Sequence, residues 1–147
     1  MDKQDERRIA LEIMKRVRKL NLPLKLDEIT EGRGNCFPLA ILAQCRRPGI
    51  YQHLDSSLKL LAYKNDPTGL RQQVQRFMVS STHSRVQEYK RRYEEVISVI
   101  DKRNWNEYWV LMIRNYEWAD HIFIQSTAWF LGFDIIIMTT TSTESNP

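Results

Sequence analysis

The sequence predicts one α/β (α+β) domain, helix-rich in this portion and built around a small central sheet. Three observations lead there. The chain has 147 residues, 42% of them hydrophobic, enough to bury a single core without disulfide or metal staples. Apolar residues recur at helical spacing through most of its length. One run, Phe133-Asp134-Ile135-Ile136-Ile137-Met138, is β-branched and lacks polar alternation, as in a strand buried on both faces. The domain is taken to run over 1–147, with a basic amphipathic helix at 1–20 and a polar tail at 139–147.

In chain order, Ile9, Ile13, Val17 and Leu20 form the stripe of the opening helix, which Asn21-Leu22-Pro23 stops. Residues 27–35 have loop composition, with Gly32 and Gly34 able to take positive φ. Cys36-Phe37-Pro38-Leu39-Ala40-Ile41-Leu42-Ala43 then starts a helix with proline in its first turn, where the missing N–H is harmless. Arg46-Arg47-Pro48-Gly49 ends it. Asp66-Pro67 supplies an N-cap and first helical residue for a helix carrying Leu70, Val74, Phe77 and Met78.

Residues 80–84 read as loop, followed by a helix carrying Val86, Tyr93, Val96, Ile97 and Ile100. Trp105–Arg114 is a short helix with Tyr108 and Met112 on one side. Asp120 caps a last helix whose expected inner stripe is Ile124, Ala128 and Leu131, stopped by Gly132. The strand at 133–138 has no obvious partner, although a buried strand must pair its backbone. Either weaker strands lie around 22–30 and 50–62, or the chain is the front part of a longer domain. The second is favoured, with self-association through the open 133–138 edge as a consequence.

The formal net charge of +4 resides in residues 1–25, which hold eight basic and four acidic side chains; the remainder balances. A basic helix face fits nucleic acid or an acidic partner, and equally a solvated surface. No apolar stretch is long enough to span a membrane. Two cysteines exclude a disulfide scaffold and suit an intracellular location, in cytoplasm or nucleus. No Cys-x-x-Cys or His-x-x-x-His spacing exists, so neither a metal nor a cofactor is expected.

The residue that carries chemistry is Cys36. At a helix start, the positive end of the dipole favours a thiolate, and first-turn N–H groups can hold an oxyanion. Those are the two electrostatic needs of a cysteine nucleophile in acyl transfer. The alternative is a small core residue, which is how Cys45, at the opposite end of the same apolar run, is read.

Gly32-Arg33-Gly34-Asn35-Cys36-Phe37-Pro38-Leu39-Ala40 resembles the nucleophile motif of the ovarian tumour (OTU) family of cysteine peptidases, typically Asp-Gly-Asn-Cys followed by an apolar helix. Further blocks follow in that family's order: Leu70-Arg71, Tyr108-x-x-x-Met112, Trp118-Ala119-Asp120, a helix over 124–131 and the isoleucines 135–137. The resemblance covers about residues 20–140. It implies a deubiquitinase in which Cys36 attacks an isopeptide carbonyl of ubiquitin or a ubiquitinated protein. The loop Arg33, Gly34 and Asn35 would hold the oxyanion, and Trp118 and Asp120 would form a turn supporting the sheet.

Arg33 departs from the family's aspartate. The catalytic histidine expected on a later strand is not evident, and His53, His83 and His121 are poor substitutes for a base that must reach the sulfur. Two rival functions therefore stay open: a catalytically inactive OTU-like module binding ubiquitin or another protein, and a helical nucleic-acid-binding domain using the basic N-terminal face. The aromatic set Trp105, Trp109, Trp118 and Trp129 lacks basic interleaving and reads as core.

Overall fold

The computed structural model describes residues 3–21, 30 and 33–137. Among them every regular element is helical. The elements are α1 (Lys3–Lys19), α2 (Cys36–Cys45), α3 (Pro48–Tyr51), α4 (Ser56–Lys64), α5 (Pro67–Ser80), α6 (Ser84–Arg92), a π turn (Tyr93–Ile97), α7 (Ser98–Asp101), α8 (Trp105–Met112) and α9 (His121–Leu131).

Local chemistry sets most of these boundaries. Asp55, Asp66 and Asp120 cap α4, α5 and α9, accepting from Leu58 N at 2.8 Å, Gly69 N at 3.0 Å and Phe123 N at 2.8 Å. Asn104 and Glu107 close a reciprocal capping box on α8. Asn65 ends α4 in the left-handed region, so that Pro67 can open α5 two residues later.

The expected sheet is absent from the described residues, and the fold is all-α. Residues 133–137 form no strand: Gly132 (φ 75°) closes α9, Phe133 N returns to Ala128 O at 3.3 Å, and Ile136 is left 84% exposed. A β-branched run becomes a strand only where another backbone offers a ladder. No described segment does so here. Met138 and the tail 139–147 lie outside the described residues, as does the strand option at 22–29. The other suggested strand region, 50–62, is helical as α3 and α4.

The core lies among α2, α4, α5, α8 and α9, on Leu42, Leu58, Leu70, Val74, Trp109 and Phe123. On α9 the inner face is Phe123, Ser126 and Thr127 rather than Ile124, Ala128 and Leu131, which are half-buried. Phe123 decides this rotation: it meets Phe37 edge-on at 5.7 Å and Trp109 at 6.1 Å. Trp105 and Trp109 are core residues, as expected, whereas Trp118 is 58% exposed and supports no sheet.

Candidate functional site

Cys36 is the first residue of α2 and half-buried, while Cys45, the last, is buried; neither forms a disulfide. Burial pushes the Cys45 thiol above its ordinary range, with the charge of Arg46 opposing. A core thiol held neutral is unreactive, so Cys36 is the thiol with solvent access and a dipole in its favour.

The turn before Cys36 is held from three sides. Gly34 has φ 30° and is buried, and a Cβ there would overlap the Tyr116 carbonyl. Only glycine lets the two backbones approach so closely. Asn35 occupies the N-cap position of α2 but makes no capping bond. It turns inward instead, 3% exposed, accepting from Arg71 Nη2 at 3.0 Å and Tyr116 N at 3.1 Å and donating to Asn115 Oδ1 at 2.7 Å. The first turn of α2 is thereby left without a side-chain cap, next to the nucleophile candidate.

Arg71 is the hub. It sits on the inner face of α5, 0% exposed, and donates to Met112 O at 2.8 Å, Gly34 O at 2.9 Å and the Glu117 carbonyl. Its guanidinium also lies over the Phe123 ring, 5.4 Å from the centroid. Burial lowers its proton affinity, and the charges of Glu117 and Cys36 act against that loss. One side chain thus ties α5 to the start of α2, the end of α8 and the connection leading to α9.

The sequence-derived residues are partly gathered here. Gly34, Asn35 and Cys36 meet Arg71 and the 115–117 segment, and exposed Arg33 begins the turn; Gly32 lies outside the described residues. Asp120 stands beyond this cluster, accepting from the Tyr108 hydroxyl at 2.6 Å while it caps α9. Of the histidines, His83 caps α6 through Nδ1, accepting from Arg85 N at 3.1 Å, and His53 and His121 are exposed. Sequence reasoning passed over Arg71 as a site residue, along with Asn115 and Glu117. The signal was a cation at 71 inside the apolar stripe of Leu70, Val74, Phe77 and Met78.

No family model, no curated protein and no solved structure matches this chain. Among the described residues no group of three or more His, Cys, Asp or Glu converges as a metal site, and no helix is long and apolar enough to cross a membrane.

Proposed function

We propose that Cys36 is the nucleophile of an isopeptide-cleaving cysteine site of deubiquitinase type. The observation that supports it is the placement of a half-exposed thiol at the uncapped start of α2, directly after a turn anchored on a buried cation. The thiolate adds to the carbonyl carbon of the isopeptide bond, and backbone N–H groups of the first turn stabilise the oxyanion. Collapse breaks the C–N bond, the departing lysine amine takes a proton from solvent water, and a thioester remains. Water then hydrolyses that thioester and restores the thiol. The substrate, ubiquitin or a ubiquitinated protein, follows from the resemblance of the 32–40 segment to the OTU nucleophile motif.

The test is capture by ubiquitin carrying a C-terminal electrophile. The full chain is expected to form an adduct that maps to Cys36, to lose it completely as Cys36→Ala and to keep it as Cys45→Ala. Loss from both variants with folding intact, or an adduct elsewhere, overturns the assignment.

A second reading, a ubiquitin- or protein-binding module without catalysis, is favoured by the engagement of His83 in a helix cap, which withdraws one of the three histidines from base chemistry. Saturable ubiquitin binding without adduct formation is its signature. For the third reading, a nucleic-acid surface on α1, the measurement is the salt slope of RNA or DNA binding.

A further inference from the structure

A buried guanidinium ordinarily has a carboxylate partner, because an unpaired cation in the interior is costly. Arg71 does not follow that pattern. Its hydrogen bonds go to neutral acceptors: the carbonyls of Gly34, Met112 and Glu117 and the carboxamide of Asn35. Its Nε is buried and has no acceptor among the described residues. Two of the four acceptors belong to the two residues immediately before Cys36, and one nitrogen, Nη2, serves both.

We propose that Arg71 is the positioning residue of the Cys36 site: its guanidinium pins the Gly34–Asn35 turn against α8 and supplies the positive charge that keeps Cys36 ionised. This rests on the reading of Cys36 as the nucleophile. The charge has the right neighbours, since the Cys36 thiol and the Glu117 carboxylate are the groups whose negative charge supports the protonated guanidinium. By reciprocity the cation supports the thiolate, and Glu117 competes for it. Other charged or titratable groups brought by the surrounding elements are Arg33 before α2, Arg114 and Tyr116 after α8, and Asp120 and His121 at the start of α9, all of them exposed, together with the buried Tyr108 of α8, whose hydroxyl goes to Asp120. A purely structural anchor could be met by any donor that reaches the four oxygens. Only the electrostatic role requires the charge.

The experiment follows alkylation of Cys36 by iodoacetamide in the full chain from about pH 5 to about pH 10, read site by site by peptide mapping, in parallel with thermal unfolding. Arg71→Gln keeps a single amide N–H2 donor for the carbonyls and removes the charge; it is expected to raise the alkylation midpoint and slow modification at neutral pH about tenfold. Arg71→Lys, which retains the charge, restores most of the midpoint even where it lowers the melting temperature. Glu117→Gln removes the competing anion without touching the carbonyl that Arg71 uses, and moves the midpoint down. If Arg71→Gln does not fold, Arg71→Met, which keeps an unbranched stem without the charge, takes its place and is expected to raise the midpoint likewise. An unchanged Cys36 midpoint in Glu117→Gln and in every Arg71 variant that folds overturns the proposal and leaves Arg71 a structural anchor. Shifts as expected without capture by the ubiquitin probe uphold the positioning role and defeat the ubiquitin reading, so the two failures are distinguishable.

Discussion

Asn35 uses both ends of its carboxamide inside the protein, and truncating it would take an acceptor from the buried Arg71 guanidinium and partners from two part-buried groups. Arg71 Nη2 would lose one of its three acceptors and Tyr116 N the one it has among the described residues, while Asn115 would lose a donor. Unmet buried polar groups cost about 1–3 kcal/mol each, and part of this turn can relax. Asn35→Ala is therefore expected to destabilise the protein by about 2–3 kcal/mol in urea unfolding, where an ordinary helix N-cap replacement costs about 1 kcal/mol. A loss no greater than that would mean the inward bonds contribute little. Asn35→Asp is a sharper comparison: it keeps the oxygen facing the guanidinium but gives Asn115 Oδ1 no donor.

At the scale of the element, Asp120 joins two helices by one oxygen, which caps α9 at Phe123 N and accepts the Tyr108 hydroxyl of α8. Asp120→Ala removes both and is expected to cost about 2–3 kcal/mol, whereas Asp120→Asn retains an acceptor and costs about 1 kcal/mol or less. The same pair predicts an alkaline limit. Burial, followed by the charge and hydrogen bond of Asp120, raises the Tyr108 phenol well above its ordinary value, and burial with the same charge raises Tyr89. Both phenols stay protonated in the folded state while the unfolded chain ionises near pH 10. The unfolded state then binds fewer protons, so stability is full below about pH 10 and falls above it, by at most about 1.4 kcal/mol per pH unit for each group. The buried Cys45 thiol adds the same sign of dependence from about pH 9. Urea midpoints across this range check it; a flat profile would contradict the buried environment of these groups.

For the molecule as a whole, the contrast between a sheet core and a helical one has a direct consequence at 133–137. A central buried strand would make Ile136 a core residue, and Ile136→Asp would then unfold the protein. In the all-α arrangement Ile136 is 84% exposed, and the same substitution is expected to change stability by less than about 0.5 kcal/mol. Thermal unfolding of this variant, with far-ultraviolet circular dichroism of the parent chain, separates the two architectures. Trp109→Ala tests the other side: with Trp109 at 0% exposure between α8 and α9, a loss of about 3–5 kcal/mol is expected.

What the amino-acid order determined by itself was the set of helix ends whose signals lie within one turn. Asp66-Pro67 opens α5, Asp120 opens α9, Gly132 closes it and Cys36 begins α2. Capping is a contact across three or four residues and needs no partner from elsewhere. The helix at 56–64 carries the same kind of signal in Asp55, Leu58, Leu61 and Ala62, and this one-turn chemistry overrides the strand expectation for that region. Only the tertiary structure decided the rest. Whether 133–137 pairs depends on a second backbone, and which face of α9 turns inward depends on Phe37 and Trp109 from other helices. The surroundings of Cys36 were hidden for the same reason, because Arg71 meets Gly34, Met112 and Glu117 across 37 to 46 residues of chain. Contacts at that separation leave no periodicity in the sequence; their one local trace is a cation standing where the helix pattern calls for an apolar side chain.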